Sequence, residues 1–264
     1  MRQKRPEQCE SRYQYMSGHS KWATIKRKKG AADAKRGQLF TRLAREIAMA
    51  AREGGGDADS NFKLRLAVDK ARANNMPKDN IQRAIDRGTG SGEGGALEQI
   101  MYEGYAGHGV AVIIECVTDN RNRTVSDLRR ALTKAGGNLG ESNSVAWQFQ
   151  RKAYFAFPIG ERSQDAIFEM AVDGGADDVQ FNDDTAEIFA AVDAFKSVTD
   201  KLREAGTVPE EAELRMEPVN LMDLSPEDTV RVMKTIEELE ELDDVQKVYS
   251  NLNVSEAALA ALEA

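Results

Sequence analysis

The residues best equipped for chemistry in this chain are basic, and they cluster. Lys21 and Trp22 precede the run Lys26, Arg27, Lys28, Lys29, which is followed by Lys35, Arg36, Arg42 and Arg45. On a helix starting near Ala23, Lys26, Lys29 and Arg36 recur at three- and seven-residue spacing and leave a broad positive face. Such groups neutralise phosphates and release counterions, which gives salt-dependent affinity for polyanions. Trp22 can stack on an unpaired base or pack inside a small helical core, and taken alone the packing role is favoured. A second basic group, Arg121 and Arg123, falls at a strand-to-helix turn, where backbone N–H groups and the helix dipole can hold a phosphate. The same turn also fits a capped helix start whose arginines pair with Asp119 and Asp127.

Charge is partitioned along the chain. Residues 1–90 carry 21 Lys and Arg against 10 Asp and Glu, a net of +11, while residues 91–264 carry 15 against 34, a net of −19. The whole chain is acidic, yet Ser17–Phe40 holds seven basic residues and one acid, Asp33. A basic head on an acidic body points to a polyanion partner.

Other chemistries have little support. His19 lies in the basic tract and His108 in the glycine-rich turn Gly104–Gly109, with no nucleophile beside either in sequence. Cys9 and Cys116 form no metal spacing, and Cys116 falls in the apolar run VAVIIECV as a buried thiol. The acidic runs Glu237-Glu238-Leu239-Glu240-Glu241 and Asp243-Asp244 read as a solvated face, since no calcium-loop spacing accompanies them. The glycines at 88–95 lack the Lys-Ser/Thr ending of a phosphate-binding loop. The expectation is a non-enzymatic protein without cofactor, metal or small-molecule substrate. With 41% hydrophobic residues, 30% charged residues and no apolar run near ~18 residues, no membrane association is expected. Residues 1–15 lack an apolar core for a secretory signal and are expected to be a disordered extension, with Met16 a natural start.

The elements that must position these residues follow from periodicity. Helices are expected over 38–51, from an N-cap at Ser60 to Ala73, and from Pro77 to Gly88, followed by a flexible linker. Beyond it, residues 153–217 spell β-α-β-β-α-β: a strand at 153–157, a helix at 164–172, a hairpin of 179–182 with 187–192, a helix at 197–204 and a strand at 212–217. The flanks spell the same order, with strands at 109–117, 144–150, 218–222 and 246–251 and helices at 124–135 and 225–242. The expected fold is α+β: an N-terminal helical domain at 16–92, a split ferredoxin-like domain at 93–152 plus 218–264, and a second ferredoxin-like domain inserted at 153–217.

Three segments, SGHSKWATIKRKKGAADAKRGQLFTRLAREI, ANNMPKDNIQRAIDRG and TDNRNRTVSDLR, resemble the signatures of the YebC family, and the similarity runs from about Met16 to the C-terminus. The resemblance implies three domains, one helical and two α/β, and a cytoplasmic location. It implies regulation of gene expression, described for some members as DNA-binding transcriptional control and for others as translational activation on the ribosome. It brings no catalytic residues. Where the family turn carries proline and glycine, this chain has Gly107-His108-Gly109, so no general role attaches to His108. Together these features predict a nucleic-acid-binding regulator whose partner is DNA or ribosomal RNA. The basic residues precede and open the first helix and do not sit on a second, reading helix, which favours RNA or the ribosome. The alternative is a protein–protein adaptor acting through the acidic α/β domains.

Overall fold

The computed structural model describes residues 33–92, 97–182 and 184–263. The described chain divides into two compact units, residues 33–146 with 231–250, and residues 147–230 with 251–263.

The first unit opens with three helices, α1 (Asp33–Gly54), α2 (Phe62–Ala73) and α3 (Lys78–Thr89). Leu43, Ile47 and Ala51 of α1, Leu64, Val68 and Ala71 of α2, and Ile81 and Ala84 of α3 interlock as one core. The N-cap of α2 is Asn61, one residue after the expected Ser60. Its side chain accepts from the Leu64 amide at 3.1 Å and donates to the Ala50 and Gly55 carbonyls at 2.8 Å each, so one buried amide starts α2 and closes the end of α1. The Ser60 hydroxyl instead donates to Asp57. Gly88 does not end α3 as expected. It lies inside the helix, where a Cβ would collide with the Ala48 carbonyl of α1, and Gly90 (φ 80°) forms the cap. Gly90, Ser91 and Gly92 bond back onto Arg87 and Asp86, so the start of the expected linker belongs to this cap.

The rest of this unit is an antiparallel sheet with neighbour order β3-β1-β2-β8, formed by β1 (Glu98–Tyr105), β2 (Ala111–Thr118), β3 (Asn138–Leu139) and β8 (Val245–Ser250). Helix α4 (Arg121–Lys134) follows β2, and α7 (Pro226–Glu240) precedes β8. Starting from β2, this is the ferredoxin-like neighbour order with its third strand supplied from upstream by β1. Sequence reasoning missed β1 and assigned that place to residues 218–222. Those residues form only an isolated bridge, Met222 with Leu252.

The second sheet has the order β5-β6-β4-β7, the ferredoxin-like order expected for the insertion, from β4 (Phe149–Pro158), β5 (Ala176–Asn182), β6 (Thr185–Ala190) and β7 (Glu211–Pro218). The separate strands expected at 144–150 and 153–157 are a short helical turn at Ala146–Gln148 and a single strand, β4. Strand β4 pairs with β7 from Phe149↔Pro218 to Ala156↔Glu211. Helices α5 (Gln164–Asp173) and α6 (Phe195–Glu204) bury Ile167, Ala171, Val198 and Leu202 against Phe155, Phe157 and Ile188. On the opposite face, the Tyr154 hydroxyl donates to Glu187 at 2.6 Å, Asn182 donates to the other carboxylate oxygen at 2.9 Å, and the Arg215 guanidinium lies over the Tyr154 ring. A C-terminal helix, α8 (Glu256–Glu263), was not expected.

Candidate nucleic-acid interface

Six residues of the expected interface, Lys21, Trp22, Lys26, Arg27, Lys28 and Lys29, lie outside the described residues. Lys35 and Arg36 fall in the opening turns of α1. Of the remaining four, Arg45 and Arg123 meet on one carboxylate, Arg42 lies near Glu241, and Arg121 pairs with Glu98.

Gln38, Arg42 and Arg45 recur at helical spacing and share one face of α1. That face meets the turn between α7 and β8. Gln38 donates to the Glu241 carbonyl at 3.1 Å, and Arg45 donates to the Asp243 carbonyl and pairs with the Asp244 carboxylate at 2.9 Å. Burial lowers the pKa of the Arg42 guanidinium, opposed by the nearby Glu241 carboxylate. Asp244 is thus buried and not part of a solvated face, whereas Asp243 is exposed and meets the head only through its backbone carbonyl. The Asp244 carboxylate supplies countercharge to the head, because a guanidinium removed from water needs a hydrogen-bonded anion.

Asp244 is the hub. It is buried and also accepts from Arg123 Nη2 at 2.8 Å, from the Thr124 hydroxyl at 2.7 Å and from the Thr118 hydroxyl at 3.2 Å. Burial alone would raise its carboxyl, but the hydrogen bonds from Arg123 and Thr124 and the charge of Arg45 outweigh burial and hold it below the usual range. Arg123 also bonds Asp119 at 3.0 Å, and Asp119 in turn pairs with Arg87 of α3 at 3.2 Å. The bonds from Asp244 and Asp119 raise the pKa of Arg123 against a smaller effect of burial. The result is a continuous chain, Arg45–Asp244–Arg123–Asp119–Arg87. It ties α1 and α3 to the β2–α4 turn and to the turn before β8.

The β2–α4 turn has the capped geometry that was one of its two expected forms. Asn120 accepts from the Arg123 amide at 3.1 Å, and Arg130 pairs with Asp127. Arg121 pairs with Glu98 of β1, yet its side chain is 68% exposed, and that of Arg123 is 46% exposed. Arg45 is different, at 12% exposure. The structure therefore brings Arg45 and Arg123 together on Asp244 and leaves Arg121 at the surface of the first turn of α4. No pattern within a short window could reveal this, since Arg45 and Asp244 are 199 residues apart.

Two other features bear on chemistry. The Cys116 thiol is buried and pushed up to about 12, chiefly by burial and then by Asp244 nearby, which makes it a poor nucleophile. Among the described residues no cluster of three or more His, Cys, Asp or Glu is placed to hold a metal ion, and no helix is long and apolar enough to cross a membrane.

The comparisons with known proteins agree with this layout. Residues 20–91 match the family model described as the TACO1/YebC protein N-terminal domain, and residues 97–252 match that for the TACO1/YebC second and third domain. A "probable transcriptional regulatory protein" of Chlorobaculum tepidum is 50% identical, covering 94% of this chain and 99% of its own. Proteins of the same description from Nitrosococcus oceani and Burkholderia ambifaria are 51% and 52% identical, covering 94% and 91% of this chain and 100% of each relative. The crystal structure of a conserved hypothetical protein from Aquifex aeolicus superposes with a TM-score of 0.80 at 42% identity, covering 89% of this chain and 98% of that one. With both family models matched in order, and relatives of half-identical sequence spanning nearly their full length, this chain belongs to the TACO1/YebC family.

Proposed function

We propose that the protein regulates gene expression in the cytoplasm by binding nucleic acid through its basic N-terminal head, with RNA of the translating ribosome as the target in preference to duplex DNA. The observation that carries the reading is the charge partition, +11 in residues 1–90 against −19 in the remainder. Lys21, Lys26, Arg27, Lys28, Lys29, Lys35 and Arg36 are the proposed phosphate contacts, with Trp22 among them. Arg121 and Arg123, exposed at the first turn of α4, are a second contact. Arg42 and Arg45 are assigned to holding the head in place, since both face the acidic turn at 241–244. The names of the half-identical relatives support a regulatory role.

The preference for RNA rests on the head itself. Helices α2 and α3 are joined by a short turn, as in DNA-reading motifs, but the outer side of α3 alternates Lys78, Asp79, Arg83 and Asp86. A helix entering a major groove passes between two phosphate rows, which disfavours carboxylates along it.

Reversing Lys26, Arg27, Lys28 and Lys29 to Glu in the full chain tests the reading. The unmodified protein should co-sediment with ribosomes at low salt and dissociate as salt rises, and the reversal should abolish this while helicity is kept. Unchanged sedimentation after reversal would overturn the head as the contact. Discrimination of one duplex from a scrambled one by ~1000-fold or more, with ribosomes ignored, would overturn the choice of RNA.

A further inference from the structure

Helix α5 buries Ile167 and Ala171 against its sheet. The opposite side of such a helix is ordinarily polar. Here the flank adjoining the buried stripe carries Phe168 and Val172, four residues apart and each 51% exposed. Asp165 lies on the same stripe, three residues before Phe168, and Glu169 and Asp173 occupy the adjoining stripe, all three exposed. None of these three carboxylates is ion-paired among the described residues. The surrounding unit is strongly acidic, with 7 Lys and Arg against 21 Asp and Glu over residues 147–230 and 251–264.

An apolar ridge beside unpaired carboxylates is selective. Phosphate-bearing ligands and acidic proteins are repelled, and a purely polar cation leaves Phe168 and Val172 in water. We propose that this face of α5 docks a basic amphipathic helix of a partner protein. The apolar side of that helix sits on Phe168 and Val172, and its Lys or Arg residues meet Asp165, Glu169 and Asp173. Helix recognition through anchors at four-residue spacing is a common mode, and two anchors suit a transient contact. The site lies in a different unit from helices α1 to α3, and it adds a protein contact that stands whether or not the basic N-terminal residues bind RNA.

The test uses the full chain and a fluorescent amphipathic Leu/Lys peptide of about 18 residues, long enough for five helical turns. The control is a scrambled peptide of the same composition with no apolar face. Fluorescence anisotropy should show binding of the amphipathic peptide, about 10-fold or more weaker binding of the scrambled one, and loss of affinity with rising salt. The double variant F168E/V172E is decisive, because it removes the ridge while adding negative charge. Docking on the ridge predicts about 10-fold or more weakening, whereas nonspecific attraction predicts equal or tighter binding and overturns the proposal. Both side chains are exposed, so the variant should fold, and an unchanged thermal midpoint checks this. The triple variant D165N/E169Q/D173N should also weaken binding and flatten its salt dependence; undiminished binding overturns the charge-matched partner. A second copy of this chain is the competing occupant, since α2 exposes Phe62 and Leu66 beside Lys63. Self-association lost in both F168E/V172E and L66E would assign the ridge to a second copy and overturn the foreign partner.

Discussion

Replacing Asp244 with Asn should loosen the attachment of the helical head to its sheet. The carboxylate neutralises two guanidiniums and accepts two threonine hydroxyls. Arg45 is 88% buried, so its stranded charge should cost about 3 kcal/mol, the low end for breaking a buried pair. Arg123 is nearly half exposed, keeps Asp119, and adds no more than about 1 kcal/mol. The threonine donors can turn to the remaining amide oxygen, so the total stays near 3–4 kcal/mol. Equilibrium urea unfolding at pH 7 measures it, and hydrogen exchange at β2 and β8 locates it. The carboxyl is held below its unfolded value of about 3.9, so its contribution is complete above about pH 4 and fades as pH falls through the folded value. Variant and parent should therefore differ by a constant amount at neutral pH and converge only in acid. Adding R45M to D244N should recover about 1–2 kcal/mol, because the stranded charge is removed. A cost below about 0.5 kcal/mol for D244N, or no recovery in the double variant, would refute the argument that this pair is desolvated.

Three further outcomes are expected. Gly88→Ala should destabilise the helical head by about 1–3 kcal/mol, since the new methyl group must displace the Ala48 carbonyl of α1; thermal unfolding and exchange of the α1 amides check it. Glu103→Gln should raise amide exchange at residues 143–146, because the Asn143, Val145 and Ala146 amides donate to this carboxylate at 2.7–2.8 Å; the parent should approach the variant only at acid pH, since these bonds outweigh burial and depress the Glu103 carboxyl. Tyr154→Phe should cost about 1–2 kcal/mol in urea unfolding, as Glu187 loses the Tyr154 donor inside a packed sheet face, and Glu187→Gln should be milder because it keeps an acceptor for Tyr154.

The amino-acid sequence by itself determined the elements whose cause is local. Helices α1 to α3 follow from apolar residues at helical spacing with Asn, Pro and Gly at their ends. The order of the inserted unit follows from strand and helix periods separated by glycine stops. The charge partition is a property of composition and needed no coordinates. Strand β1 was not legible, because EQIMYEGY mixes acids into a weak alternation. It is a strand through its neighbours β2 and β3, whose exposed backbone edges it satisfies. The strand expected at 218–222 failed for the converse reason, since its place in the sheet was already taken. Within the candidate interface, residue type marked Arg42, Arg45, Arg121 and Arg123 as cationic, but only the tertiary structure decided which anion each would meet. Arg45 reaches Asp244 across 199 residues, and Arg123 reaches it across 121. A local pattern records which side chains share a helix face. It does not record what packs against that face, and desolvation by that packing turns a solvent-facing cation into an internal ion pair.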